Sequence, residues 1–271
     1  MPTPHVLVCS DVHFGSHRQQ LADEFVEALD TLPRARACVV ISGDLVQSGS
    51  ERDFKAASRF LASIRTRRVP LVLTPGNHDF GGFVHENGPV KVHEQPRKRF
   101  KRLWSDHLHQ PCVLASHDMN AIYQVHGHVF VSLRSVHRGR IWGRSERISS
   151  GQIDWAQTTL KKFRLASAPL HLVTHRGLWD DRGGAKRAHR PMYRRRRLER
   201  ELLERYSFQT IIHGHDHRCA WTAGRPMPKR SRPLDHLAVP SMSGTRAGEH
   251  GWVAWRPGST PQFVRYTRTR P

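Results

Sequence analysis

The chain has 271 residues, with 44 Lys and Arg, chiefly arginine, against 23 Asp and Glu, a formal charge of +21. No apolar run exceeds a handful of residues, which leaves neither a membrane span of ~20 residues nor a secretory h-region, so the expectation is a cytoplasmic chain. A hydrophobic share of 37% before 20 Gly are counted allows a sizeable core, and the basic excess admits anionic partners such as nucleic acid, nucleotides or anionic lipid.

Residues 5–10 form a compact apolar run read as a first buried strand. Leu21, Phe25, Val26, Leu29 and Leu32 then recur at helical spacing, which gives one face that can pack on a sheet. Residues 37–42 read as a second buried strand, Phe54, Ala57, Phe60, Leu61 and Ile64 as a second amphipathic helix, and residues 69–74 as a third strand. Continuous β-branched runs alternating with helices predict a mainly parallel sheet covered on both faces.

From 80 to 117 the pattern breaks into Gly, Pro and basic residues, with a helix only over 100–108. Segments 121–125 and 129–133, separated by His126, Gly127 and His128, read as a hairpin or two neighbouring strands. A helix over 151–163, a strand over 170–174, a basic helix over 190–206 and a strand over 208–212 follow. Short strand-like pieces around 234–239, 252–255 and 263–266 close the chain, which is read as one domain over 1–271. Cys9, Cys38, Cys112 and Cys219 lie far apart without a CxxC pair, a pattern of reduced thiols rather than a disulfide framework or zinc knuckle.

The strong apolar runs end in metal-ligand residue types: Asp11-Val-His13, Gly43-Asp44, Gly76-Asn77-His78-Asp79, Thr174-His175 and Gly214-His215-Asp216-His217. Groups that follow strand C-termini converge on one edge of an open sheet. Mixed imidazole nitrogen and carboxylate oxygen suit Zn, Mn or Fe, whereas an all-oxygen set favours Mg or Ca. Each motif alone has a plainer use: Asp11 and Asp44 suit helix caps and Gly76-Asn77 a turn. His107-Leu-His109 and His126-Gly-His128 show that His-x-His also occurs here without matching acids. Ordered co-occurrence of all five motifs argues for metal.

The ordered set DVH, GDLVQSG, PGNHD, a lone His after a strand, and GHDH resembles the calcineurin-like metallophosphoesterases over residues 5–240. In wording it is most similar to the bacterial branch that contains the class III cyclic-nucleotide phosphodiesterases. The resemblance implies a βαβ sandwich with mainly parallel central strands, helices outside and a dimetal site at the strand C-terminal ends. It implies Asp11, His13 and His217 on one metal, Asn77, His175 and His215 on the other, and Asp44 bridging. It also implies His78 as the catalytic histidine, with Asp79 orienting it. The expected reaction is hydrolysis of a nucleotide-type phosphoester by a hydroxide that bridges two Mn, Fe or Zn ions. The alternatives are a nuclease, or a nucleic-acid-binding protein that uses the basic surface.

The fourth motif departs from the family, reading His175-Arg176-Gly177 where relatives usually have His-His-Pro. Arg176 is therefore a candidate phosphate contact. Asp216 reads as a loop residue between two inward histidines, and His213 as strand-terminal rather than a ligand. Arg194 to Arg197 could grip an anionic polymer, although such runs are more often solvated helix faces. Trp142, Trp155, Trp179 and Trp221 could stack bases, but large aromatics are more commonly core residues. Of these, Trp179 is the best placed to wall a substrate.

Overall fold

The computed structural model describes residues 3–81, 94–136, 147–179, 195–226, 233–244 and 249–265. In chain order β1 (His5–Cys9), α1 (Gln19–Ala28), β2 (Ala37–Ile41), α2 (Glu51–Thr66), β3 (Leu71–Leu73) and α3 (Glu94–His107) come first. The hairpin strands β4 (Val113–His117), β5 (Asn120–Val125) and β6 (His128–Ser132) precede α4 (Ser150–Lys162) and β7 (Leu170–Val173). The short helix α5 (Arg195–Leu198), continued by a π-helical turn over Glu199–Leu203, leads to β8 (Phe208–His213), β9 (Ala220–Arg225), β10 (Leu234–Ala238), β11 (Gly251–Trp255) and β12 (Gln262–Arg265).

These strands form two sheets, in the orders β12-β11-β1-β2-β3 and β4-β5-β6-β7-β8-β10-β9. The central strands are parallel: β1 with β2, β2 with β3, β6 with β7, β7 with β8, and β8 with β10. Antiparallel strands flank them on both sheets. Every residue of β2 is buried, as a continuous apolar run demands when both faces of a strand are covered.

The two sheets form the sandwich that the resemblance implies, with parallel central strands and helices outside; the apolar runs alone predict a doubly covered sheet without saying that a second sheet is one of its covers. Tyr123, Phe130, Val173, Ile212 and Leu237 of the larger sheet share one core with the smaller sheet and with α1, α2 and α3. Their neighbours Ile122, Val129, Val131, Leu170, Leu172 and Ile211 face the opposite way, against α4 and the 198–203 segment. The side-chain period of two along a strand creates this division. The molecule is thus a sandwich in which the second sheet replaces one helical layer.

Local signals fix the helix entries. Ser50 accepts from the Asp53 amide at the start of α2, and Ser149 and Gln152 form a reciprocal capping box at α4, satisfying amides that an α-helix leaves unpaired at its start. On α3, Phe100 packs edge-on to Phe54 and Phe80 and stacks on Trp104. Among the described residues no helix is long and apolar enough to cross a membrane.

Candidate metal centre

Loops leaving the C-terminal ends of β1, β2, β3, β7 and β8 carry, in turn, Asp11 and His13, Asp44, Asn77 and His78, His175, and His215 and His217. Asp11, His13, Asp44, His215 and His217 all adopt left-handed backbone conformations, with φ of 53°, 55°, 52°, 70° and 50°. A non-glycine residue pays of order 1–3 kcal/mol for such a conformation, and such residues cluster at functional sites. Here the surrounding backbone enforces it: the amides of Asp11, His13 and Phe14 donate to the carbonyls of Gly43, Asp44 and Leu45 at 3.0, 3.1 and 2.8 Å. Close approach requires glycine at positions 76 and 214. A Cβ on Gly76 would lie 2.1 Å from Asp44 Oδ1, and one on Gly214 would lie 1.7 Å from Ser10 Oγ.

The loops bring all seven expected ligands together. His217 Nε2 lies 3.2 Å from Asp11 Oδ1 and 3.4 Å from His13 Nε2. On the other side His175 Nε2 lies 3.2 Å from Asp44 Oδ2, 3.1 Å from Asn77 Oδ1 and 3.2 Å from His215 Nδ1. Three groups have ligand atoms all within 4.8 Å of one another: Asp11 with His13 and His217, Asp44 with His175 and His215, and Asp44 with His13 and His78. Asp44 is common to the last two and so lies between the two ends of the cluster.

The donor set fits cations. Asp11 and Asp44 are 0% and 2% exposed, and among the described residues they form ion pairs only with histidines. Two buried carboxylates side by side need positive charge, which burial otherwise makes costly to leave out. Burial alone pushes both carboxyls up, yet His175 and its neighbours hold Asp11 below the usual range and Asp44 well below it. Burial likewise disfavours charge on His175, but Asp44 and Asp11 overrule it and raise this imidazole to about 10. His215 is driven well below its ordinary value by burial, by His175 and by Arg176. The Ser42 carbonyl lies 2.8 Å from His175 Nδ1 and leaves Nε2 toward the cluster, the backbone anchoring usual for metal-binding histidines.

His78 stands at the same place, its ring edge-on to His13 at 4.7 Å and its Nε2 4.0 Å from Asp44. The structure corrects the expectation that Asp79 orients it. Asp79 accepts from the amides of Gly76 and Val46 at 2.8 and 3.1 Å, whereas His78 Nδ1 meets the Gln47 carbonyl at 2.8 Å. Asp79 is instead a buried clasp between two ligand loops, its carboxyl raised to about 7 by burial and by Asp44. Arg176 does reach the cluster: its Nη1 lies 2.7 Å from His215 Nε2, and its amide donates to Ser135 Oγ. Gly177 is needed beside it, since a Cβ there would come 2.9 Å from the His213 ring.

Several supports escaped the sequence reading. Ser241 Oγ donates to the Asp11 carbonyl at 2.9 Å, and the Glu249 amide donates to the His217 carbonyl at 2.9 Å. The segment after β10 thus braces both outer ligand loops, although it carries no motif. His213 ends β8 stacked on His236 at 4.6 Å, and Asp216 belongs to none of the three ligand groups. Trp179 is no substrate wall: it is 6% exposed, meets His236 edge-on, lies 4.1 Å below the Arg225 guanidinium and donates to Glu199. Trp155 packs beside the outer core and Trp221 beside the inner one. Arg197 is tied to Glu201 and Asp154 at 2.8 and 3.3 Å. Trp142 and Arg194 lie outside the described residues.

Comparison with known proteins finds the same fold in solved phosphatase structures. The chain is similar in fold to a dimetal phosphatase from Danio rerio, with a TM-score of 0.63 and 14% identity over 98% of this chain and 100% of that one. It is also similar to the purple acid phosphatase PPD1 of yellow lupin, Lupinus luteus, with a TM-score of 0.59 and 14% identity over 98% of this chain and 48% of that one. The fold and the converging ligands define a metal-dependent phosphoesterase scaffold. The chain belongs to the calcineurin-like phosphoesterase family, whose model matches residues 4–219. Over 79 residues it is 34% identical to the glycerophosphodiester phosphodiesterase GpdQ of Enterobacter lignolyticus strain SCF1, a match that spans 26% of this chain and 27% of that relative.

Proposed function

We propose that the chain hydrolyses nucleotide-type phosphoesters, diesters foremost, with one cation on Asp11, His13 and His217, a second on Asn77, His175 and His215, and Asp44 shared. The observation that carries this reading is the pair of ligand groups at the two ends of one buried cluster, with Asp44 between them. Mixed nitrogen and oxygen donors suit Mn, Fe or Zn. Such a pair of ions supplies an activated hydroxide and neutralises charge on the phosphoryl oxygens.

The chain's own groups have separate tasks. The Ser42 and Gln47 carbonyls fix the ring orientations of His175 and His78. His78, anchored at Nδ1, presents Nε2 as the atom that would donate a proton to the departing alkoxide. Arg176, beside His215, would hold a phosphoryl oxygen through its guanidinium. A single domain and a cytoplasmic location accompany this reading, supported by a core shared between the two sheets and by four free cysteines.

The test is a panel of bis-p-nitrophenyl phosphate, p-nitrophenyl phosphate, 2′,3′- and 3′,5′-cyclic nucleotides and a glycerophosphodiester, assayed with Mn²⁺. We expect diester hydrolysis that chelation abolishes and Mn²⁺ restores; inertness toward the whole panel contradicts the proposal. The formal charge of +21 favours a second reading, a nuclease. Its mark is cleavage of a nucleic acid that collapses as salt rises, since polyphosphate binding releases counterions. A small diester gives a far flatter salt response.

A further inference from the structure

A second concentration of positive groups lies at the sheet edge opposite the candidate metal centre. His5 opens β1 and pairs in register with Ala37, which opens β2, while the other ends of these strands lead to Asp11 and Asp44. Five residues at ~3.3 Å each separate the two edges by roughly 15 Å. Strand β11 runs the other way and delivers Trp255 beside Val6, followed by Arg256. Here Thr3, His5, Arg36, Arg256 and Ser259 line a cavity of about 360 Å³.

Among the described residues no carboxylate lines this cavity. Among the described residues neither Arg36 nor Arg256 takes part in an ion pair, and Asp30, which precedes Arg36 by six positions in the chain, is engaged by Arg34 and Arg67. The like charges act on one another: burial, Arg256 and Arg36 together hold His5 below its ordinary value. Both arginines hang from fixed backbone. The Ser259 amide and hydroxyl donate to the Arg256 carbonyl at 2.9 and 2.8 Å, and Trp255 Nε1 donates to the Ser259 carbonyl at 3.2 Å. The Arg36 amide closes its own turn on the Pro33 carbonyl at 2.8 Å.

We propose that this cavity is a second anion site, separate from the metal centre, which takes a small phosphate-bearing molecule between the guanidiniums of Arg36 and Arg256. Two planar forks can each make paired hydrogen bonds to phosphoryl oxygens. His5 adds a third nitrogen donor once an anion offsets the repulsion from the arginines.

The test is calorimetric titration of inorganic pyrophosphate, and of phosphate for comparison, into the full chain stripped of metal. Binding is expected to survive stripping and the Asp44→Asn substitution. It is expected to weaken at least tenfold in the Arg36→Ala/Arg256→Ala double variant. Arg52 and Arg102 are exposed elsewhere on the surface, so Arg52→Ala/Arg102→Ala is expected to bind as the parent does. Absence of binding to the stripped parent, or equal loss in both double variants, overturns the proposal. Because every titration is made without metal, its failure leaves the phosphoesterase reading untouched.

Discussion

His175 holds its proton up to about 10 because Asp44 and Asp11 lie beside it in a buried place, and a cation must displace that proton to use Nε2. With the proposed ligation by His175, metal uptake is expected to release a proton and affinity to rise with pH. One displaced proton tightens the apparent Kd for Mn²⁺ about tenfold per pH unit between pH 6 and 8, since loading occurs below the pKa of the displaced group. Calorimetry in buffers of different ionisation enthalpy measures the release; no proton release, or weaker binding at higher pH, contradicts this linkage. Ser241 acts through Asp11, by donating to its carbonyl. Its loss in Ser241→Ala is expected to weaken metal binding ~10-fold, at the low end of what outer partners of ligands contribute. Asp79→Asn must turn an amide N–H toward the amide of Gly76 or Val46; it is expected to lose ~1–3 kcal/mol in chemical denaturation. The seven candidate ligands that the structure gathers were legible in the sequence because each is a distinctive residue type just after an apolar run. The partners of His175 and His78 were not, because the Ser42 and Gln47 groups involved are backbone carbonyls that any residue offers.

At the level of the elements, the metal centre depends on loops crossing at van der Waals contact. Gly214 sits where a Cβ would meet both Ser10 Oγ and Asp11 Oδ2, the latter at 2.4 Å. Gly214→Ala is therefore expected to lower stability by ~1–3 kcal/mol, as overpacking does, and to lower metal content with it. Gly151 in α4 has no atom within 4 Å of such a Cβ, so Gly151→Ala is expected to be neutral or stabilising by up to ~1 kcal/mol. Thermal melts of the two variants check the contrast; equal losses would remove the crossing-loop argument. Buried strands and amphipathic helices could be read from the sequence, because β2 is apolar throughout and α2 repeats Phe54, Ala57, Phe60, Leu61 and Ile64 on one face. Strands β4 and β9 were missed for a physical reason: they are the two edges of the larger sheet, half-buried or exposed along their length. An edge strand has no need of a continuous apolar run.

Across the whole molecule, two sheets enclose a core that also holds neutral histidines. Burial, helped by Arg65, keeps His107 down at about 3, where its Nε2 meets the Tyr123 hydroxyl at 3.1 Å. Burial, helped by His128, holds His171 well below its ordinary value, between Phe130 and Trp255. Unfolded histidines take protons near pH 6.5, so the stability these groups contribute is complete above that pH. It is lost progressively as pH falls toward 3. The urea midpoint of metal-free protein is expected to drop steadily from pH 6.5 to 4, and His107→Gln is expected to flatten that slope. A midpoint independent of pH over this interval contradicts the buried-neutral assignment.

That a second sheet, rather than a second helical layer, closes the core follows from the family resemblance of the motifs and not from periodicity. A strand buried by helices and one buried by another sheet have the same apolar run. The sandwich matters to function because it sets the ends of β1, β2 and β3 against those of β7 and β8, so that Asp44 from one sheet comes within 3.2 Å of His175 from the other. The most direct measurement is elemental analysis of chain purified after Mn²⁺ loading and desalting, the parent beside Asp44→Asn. The account predicts two ions per parent chain and no more than one in the variant, with hydrolysis lost alongside. A variant that keeps both ions, or a parent that hydrolyses phosphoesters while carrying none, contradicts it.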